Sequence, residues 1–101
     1  MMRTLDDIIG LIEEHKEEIR KKFRVKEIGV FGSYVRGEMK ETSDVDVLVE
    51  FEENAKVSLI DFLKLENYLS EILGVVRVDL VEKGALKPNI GKRVLKETVF
   101  V

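Results

Sequence analysis

Residues 29–51 read GVFGSYVRGEMKETSDVDVLVEF, and this stretch decides the fold. Its second half, DVDVLVEF over 44–51, alternates cleanly. Val45, Val47, Val49 and Phe51 share one face, and Asp44, Asp46 and Leu48 share the other, which predicts a strand. Upstream, VKEIGVFG over 25–32 is β-rich and predicts another strand, broken at Gly32-Ser33. Residues 34–43 between them are polar and irregular, which suits a short helical turn and a loop.

Outward from this unit, residues 4–23 repeat Leu5, Ile8, Ile9, Ile12, Ile19 and Phe23 at helical spacing. Thr4 is placed to cap that helix, and Asp6 and Asp7 suit its positive end. Ser58 caps a second helix predicted over 59–73, with Gly74 as its left-handed terminus. Residues 75–81, VVRVDLV, predict a third strand. Pro88 opens a last helix, and TVFV at the end can close the sheet. The order α-β-β-α-β-α predicts an α+β (α/β) fold with a small mixed sheet backed by helices.

The chain has 101 residues, 45% hydrophobic and 37% charged, which suits one globular domain over 1–101. A domain this small leaves much surface exposed, so a homo-oligomer or a covering partner is compatible with it. The net charge of −3 argues against a protein that holds nucleic acid by neutralising phosphates. With no cysteine, disulfides, zinc thiolates and thiol nucleophiles are excluded. The start, MMRTLDDII, places acids where a signal peptide needs an apolar core, and no apolar run is long enough to span a bilayer. A cytoplasmic protein away from membranes is expected.

Asp44 and Asp46 carry the first chemical signal. Two acids at i and i+2 on a strand point the same way and repel, and burying them costs free energy unless a cation compensates. Mg²⁺ does so, taking oxygen ligands from one or two carboxylates plus substrate phosphates. Taken alone, an Asp-x-Asp pair is more commonly a solvated stretch of sheet. Gly32-Ser33 adds a strand-to-helix turn with free N–H groups and a hydroxyl, an arrangement that suits phosphate, although an isolated Gly-Ser is usually only a capped turn. The combination carries more weight, because ten residues separate Ser33 from Asp44 and put both elements on neighbouring strands. Asp79, inside an apolar strand, is either a third carboxylate for a two-metal site or a partner for Arg77 or a helix terminus. In two-metal chemistry the ions stand roughly 3.5–4 Å apart and clamp the attacking and leaving oxygens.

These residues resemble the minimal form of the DNA polymerase β-like nucleotidyltransferase superfamily. Gly32, Ser33, Arg36, Gly37, Ser43, Asp44 and Asp46 fit its pattern GSxxRG…SDxD, and the element order agrees across almost the whole chain. The resemblance implies that Gly32 and Ser33 bind the triphosphate and that Asp44, Asp46 and Asp79 are catalytic and bind two Mg²⁺ ions. Arg36 either contacts phosphate or braces the loop against an acid, with bracing preferred, and Ser43 orients Asp44. Tyr34 departs from the family, which often has a basic residue there.

The chain's size and charge resemble those of stand-alone minimal nucleotidyltransferases that act as antitoxins against helical HEPN-domain ribonucleases. The resemblance implies AMP transfer from ATP to a tyrosine of such a toxin. Transfer to a small molecule or an RNA end, or non-catalytic toxin binding, are the alternatives. Two other features carry nothing. GALKPNIGKR has six residues between Gly84 and Gly91, where a phosphate-binding P-loop has four, and Arg93 replaces its Ser or Thr. His15, in the charged run EEHKEEIRKK, is expected on the surface, and the basic residues there read as an exposed helix face.

Overall fold

The computed structural model describes residues 3–101; Met1 and Met2 lie outside it. Helix α1 (Leu5–Glu14) begins with a reciprocal capping box. Thr4 Oγ1 accepts from Asp7 N–H at 3.2 Å, and Asp7 Oδ2 accepts from Thr4 N–H at 3.0 Å. The helix predicted over 4–23 is in fact two, with α2 at Lys16–Phe23. His15 separates them at φ −102° and ψ 7°. Its Nδ1 lies 2.8 Å from the Leu11 carbonyl, and its ring meets Tyr68 edge-on. The local bond to Leu11 competes with the helical ladder and bends the chain. His15 is therefore half-buried, not the solvated residue expected.

Arg24, left-handed at φ 58°, turns the chain into β1 (Val25–Phe31). The short helix α3 (Ser33–Arg36) follows, then β2 (Val45–Phe51). Helix α4 (Leu59–Leu73) carries a second capping box, Ser58 with Asp61, and ends at Gly74 at φ 63°. Strand β3 (Val78–Glu82) starts three residues later than the predicted 75–81. Gly74 and Val75 donate their N–H groups back to Glu71 and Ser70, so the helix cap uses the first part of the predicted strand. A 3-10 turn (Lys83–Ala85), α5 (Pro88–Glu97) and β4 (Val99–Phe100) complete the chain.

The sheet order is β3-β2-β1-β4. Strand β1 runs antiparallel to β2 and β4, and β2 runs parallel to β3. The sheet is therefore mixed, as expected for this α+β fold. Its core face carries Ile28, Val30, Val45, Val47, Val49, Val78 and Leu80. They bury against Ile8, Ile12 and Ile19 of α1 and α2 and Leu65, Leu69 and Leu73 of α4. Leu48, on the opposite face, is buried as well. Among the described residues no helix is long and apolar enough to cross a membrane.

Candidate active site

The end of β1 and the starts of β2 and β3 meet at one end of the sheet, and the three sequence elements meet there. In the parallel register Asp46 stands opposite Asp79, and in the antiparallel one Asp46 stands opposite Phe31, one residue before Gly32. Val45, Val47, Val78 and Leu80 point into the core, so Asp46 and Asp79 both face away from it. Across the sheet the order is Asp79, then Asp46, then the Gly32-Ser33 turn.

Gly32 has φ 80° and ψ −148°, a conformation close to glycine-only territory. A Cβ there would overlap Asp46 Oδ2 and come within 2.9 Å of Asp46 Cγ. The glycine thus lets the turn lie directly against the carboxylate. Ser33 opens α3, whose next residue, Tyr34, is 4% exposed and packs into the core. The residue that departs from the family pattern is therefore a core residue here.

Burial raises the Asp46 carboxyl, and the charges of Asp79 and Asp44 add to the effect, taking it to about 6. Arg36 opposes the rise only weakly. Asp44 turns partly aside, with Oδ2 3.9 Å from Arg77 Nε. The alternative pairing of Asp79 with Arg77 is replaced by this contact. Among the described residues, no three Asp, Glu or His side chains stand close enough to hold an ion as they are. The donor chemistry nevertheless fits a hard divalent cation, because Asp46 and Asp79 stand side by side on one face with little compensating charge and Asp44 precedes Asp46 by two residues. To take Asp44 as a ligand, the ion must draw it away from Arg77.

Arg36 does not point free into the site. Its guanidinium donates to Glu38 and, through Nη1, to Glu97 Oε1. Glu97 Oε2 also accepts from Gly32 N–H at 2.9 Å. The Arg36 bond, followed by the Gly32 bond, holds the Glu97 carboxyl below its usual range. One carboxylate from α5 thus ties the turn at two points. Sequence reading anticipated a brace for Arg36 and missed Glu97. The available signal was an acid in the last turn of a helix, where the macrodipole disfavours negative charge. Ser43 closes the preceding loop: its hydroxyl oxygen accepts from Lys40 N–H at 2.8 Å, so it acts on Asp44 only through the loop.

The sequence pattern of the nucleotidyltransferase domain family matches residues 12–101. A protein adenylyltransferase, MntA of Thermococcus cleftensis, is 57% identical over 100 residues, spanning 99% of this chain and 98% of that protein. A solved structure assigned as a minimal nucleotidyltransferase superposes with a TM-score of 0.72 at 36% identity, covering 92% of this chain and 94% of the other. A toxin–antitoxin complex solved with AMP-PNP contains a chain with a TM-score of 0.66. It covers 94% of this chain and 69% of the other, and at 23% identity the likeness is one of fold.

Proposed function

This chain belongs to the nucleotidyltransferase domain family, and from that premise we propose that it transfers AMP from ATP to a tyrosine hydroxyl of a cognate HEPN-domain toxin, neutralising it as an antitoxin. The observation that carries this reading is the alignment of Asp79, Asp46 and Gly32-Ser33 across one end of the sheet. The adenylyltransferase relative from Thermococcus cleftensis supports a protein acceptor.

Gly32 and Ser33 receive the triphosphate, Ser33 through its hydroxyl and the free N–H at the start of α3. Asp44, Asp46 and Asp79 would hold Mg²⁺, as two ions, which when bound offsets the charge on the triphosphate and the transferred phosphoryl group. Asp79 lies on the acceptor side and takes the proton from the attacking hydroxyl. The acceptor oxygen bonds to the α-phosphorus. The bond from that phosphorus to the bridging oxygen breaks, and pyrophosphate leaves on the Gly32-Ser33 side. Arg36 braces this turn instead of gripping phosphate, because its guanidinium is engaged by two glutamates.

The test incubates the protein with Mg²⁺, ATP and its HEPN-domain partner and measures intact masses. AMP units on the partner support the reading; AMP on an RNA end or a small molecule instead would replace it.

Glu97 is a positioning residue in this scheme. Glu97→Ala frees both Gly32 N–H and Arg36, and kcat/KM for ATP is expected to fall about 10- to 100-fold. Glu97→Gln still accepts from Gly32 N–H and should recover most of that loss. If Glu97 only stabilised the fold, both variants would lower Tm and leave the kinetics below Tm unchanged.

A further inference from the structure

Helix α5 brings a second cation to the Gly32-Ser33 turn. Gly91 and Val94 lie on its buried side, while Arg93 is exposed. Glu97 faces the turn, since its Oε2 accepts from Gly32 N–H at 2.9 Å. Arg93 stands one helical turn before Glu97. Side chains at that spacing are neighbours on a helix, about 5–6 Å apart at Cβ. They also lean towards the N-terminal end, so Glu97 leans back towards Arg93. That proximity shows in the Glu97 carboxyl. The bond from Arg36 does most to hold it below its usual range, the Gly32 N–H adds to this, and the charge of Arg93 contributes as well. Of the cations on α5, Arg93 is the one whose charge acts on Glu97 in this way. Among the described residues Arg93 enters no ion pair, so its guanidinium is free to turn to another anion.

The turn's own cation is already engaged. Across Gly32 and α3 the one cationic side chain is Arg36, and Glu38 and Glu97 hold it. Tyr34, where the family often has a basic residue, is buried in the core. Arg77 lies on the β3 side, beside Asp44. An arriving triphosphate meets the carboxylates of Asp46, Asp79 and Glu97, and the C-terminal end of α5 adds its negative partial charge. An unpaired cation on the flank of α5 that borders the turn answers that repulsion.

We propose that Arg93 grips the β- and γ-phosphates of ATP seated at the Gly32-Ser33 turn and so holds the leaving pyrophosphate. This rests on the adenylyltransferase reading and adds the residue that recognises the triphosphate. A guanidinium suits the task, because its planar fork takes two phosphate oxygens at once. As the bond to the α-phosphorus breaks, the electron pair passes to the bridging oxygen of the pyrophosphate. A cation held there offsets the charge that gathers. The division of labour on α5 is then simple: Glu97 fixes the turn, and Arg93, one helical turn away on the same flank, holds what the turn receives.

Arg93→Ala is compared with Lys92→Ala, which removes the same charge from a residue about 100° round the helix. Affinity for ATP is measured by calorimetry with Mg²⁺ and no partner, and Tm is measured alongside. The proposal expects Arg93→Ala to weaken ATP binding about tenfold or more. Arg93→Lys should recover part of that loss, and Lys92→Ala should bind as the wild type does, with Tm unchanged in all three. To separate a grip on phosphate from support of Glu97, Arg93→Ala is repeated in a Glu97→Gln background, where the proposal expects the same fold-loss. Wild-type affinity in Arg93→Ala, an equal loss in Lys92→Ala, or a loss that vanishes beside Glu97→Gln would overturn the proposal. A wild-type protein that binds no ATP would overturn it together with the adenylyltransferase reading. If the wild type binds ATP through Arg93 yet transfers no AMP to the proposed HEPN-domain partner, the phosphate grip stands and the transfer reading fails.

Discussion

Replacing Asp46 by Asn is expected to abolish AMP transfer, with a loss on the order of 10³-fold, and at the same time to raise the melting temperature of the metal-free protein at pH 7. The two effects have one cause. Asp46 is the most strongly perturbed acid of the site, pushed up to about 6 by burial and by the negative charges of Asp79 and Asp44. In the proposed mechanism its carboxylate holds the cation, and without a cation it is repelled by its neighbours.

The sign follows from linkage. In the unfolded chain the group titrates near 3.8, so the folded state binds the proton more tightly. Below the unfolded value this difference costs the fold nothing. As pH rises from about 3.8 to about 6 the unfolded chain ionises while the folded one holds its proton, so the penalty on the fold builds over that window and is complete above it. Solvent reaches the group, which screens the penalty to about 1 kcal/mol at neutral pH. For a domain of this size that is a Tm shift of about 4–8 °C. Thermal melts in chelator should therefore show wild type falling below Asp46→Asn as pH rises from 4 to 7.5, with the two converging at the acid end. A variant less stable than wild type at pH 7 would contradict the electrostatic description of the site.

Gly32→Ala should be nearly as damaging to activity and, unlike Asp46→Asn, should also destabilise. The left-handed φ of 80° is strained for any side chain, which costs about 1–3 kcal/mol. The added methyl also meets Asp46 Cγ at 2.9 Å and overlaps the nearer carboxylate oxygen. Either the turn or Asp46 must move, and a displacement of about 1 Å at a catalytic group costs roughly 10²-fold in rate. Steady-state kinetics with chemical denaturation check both halves. A variant with wild-type kcat and lowered stability would show that the Gly32–Asp46 contact matters only to folding.

Much of this was legible in the chain itself. The alternation of 44–51 gave the right faces, so that Val45, Val47 and Val49 are core and Asp46 is not. The capping boxes at Thr4 and Ser58 appear where their sequences place them. What escaped the sequence depends on contacts that sequence order does not record. The bend at His15 arises from a ring that finds both the Leu11 carbonyl and Tyr68. The late start of β3 reflects the competition of a helix cap for Val75. Glu97 lies 65 residues from the glycine it holds, and no local pattern joins the two.

The most direct measurement is the intact mass of the proposed HEPN-domain partner after incubation with this protein, Mg²⁺ and ATP, beside the same reaction with Asp46→Asn. A gain of one or more AMP units with the wild type and none with the variant is the result expected. An unmodified partner that still binds and is still neutralised by both proteins would contradict catalysis and leave a binding protein on a nucleotidyltransferase fold.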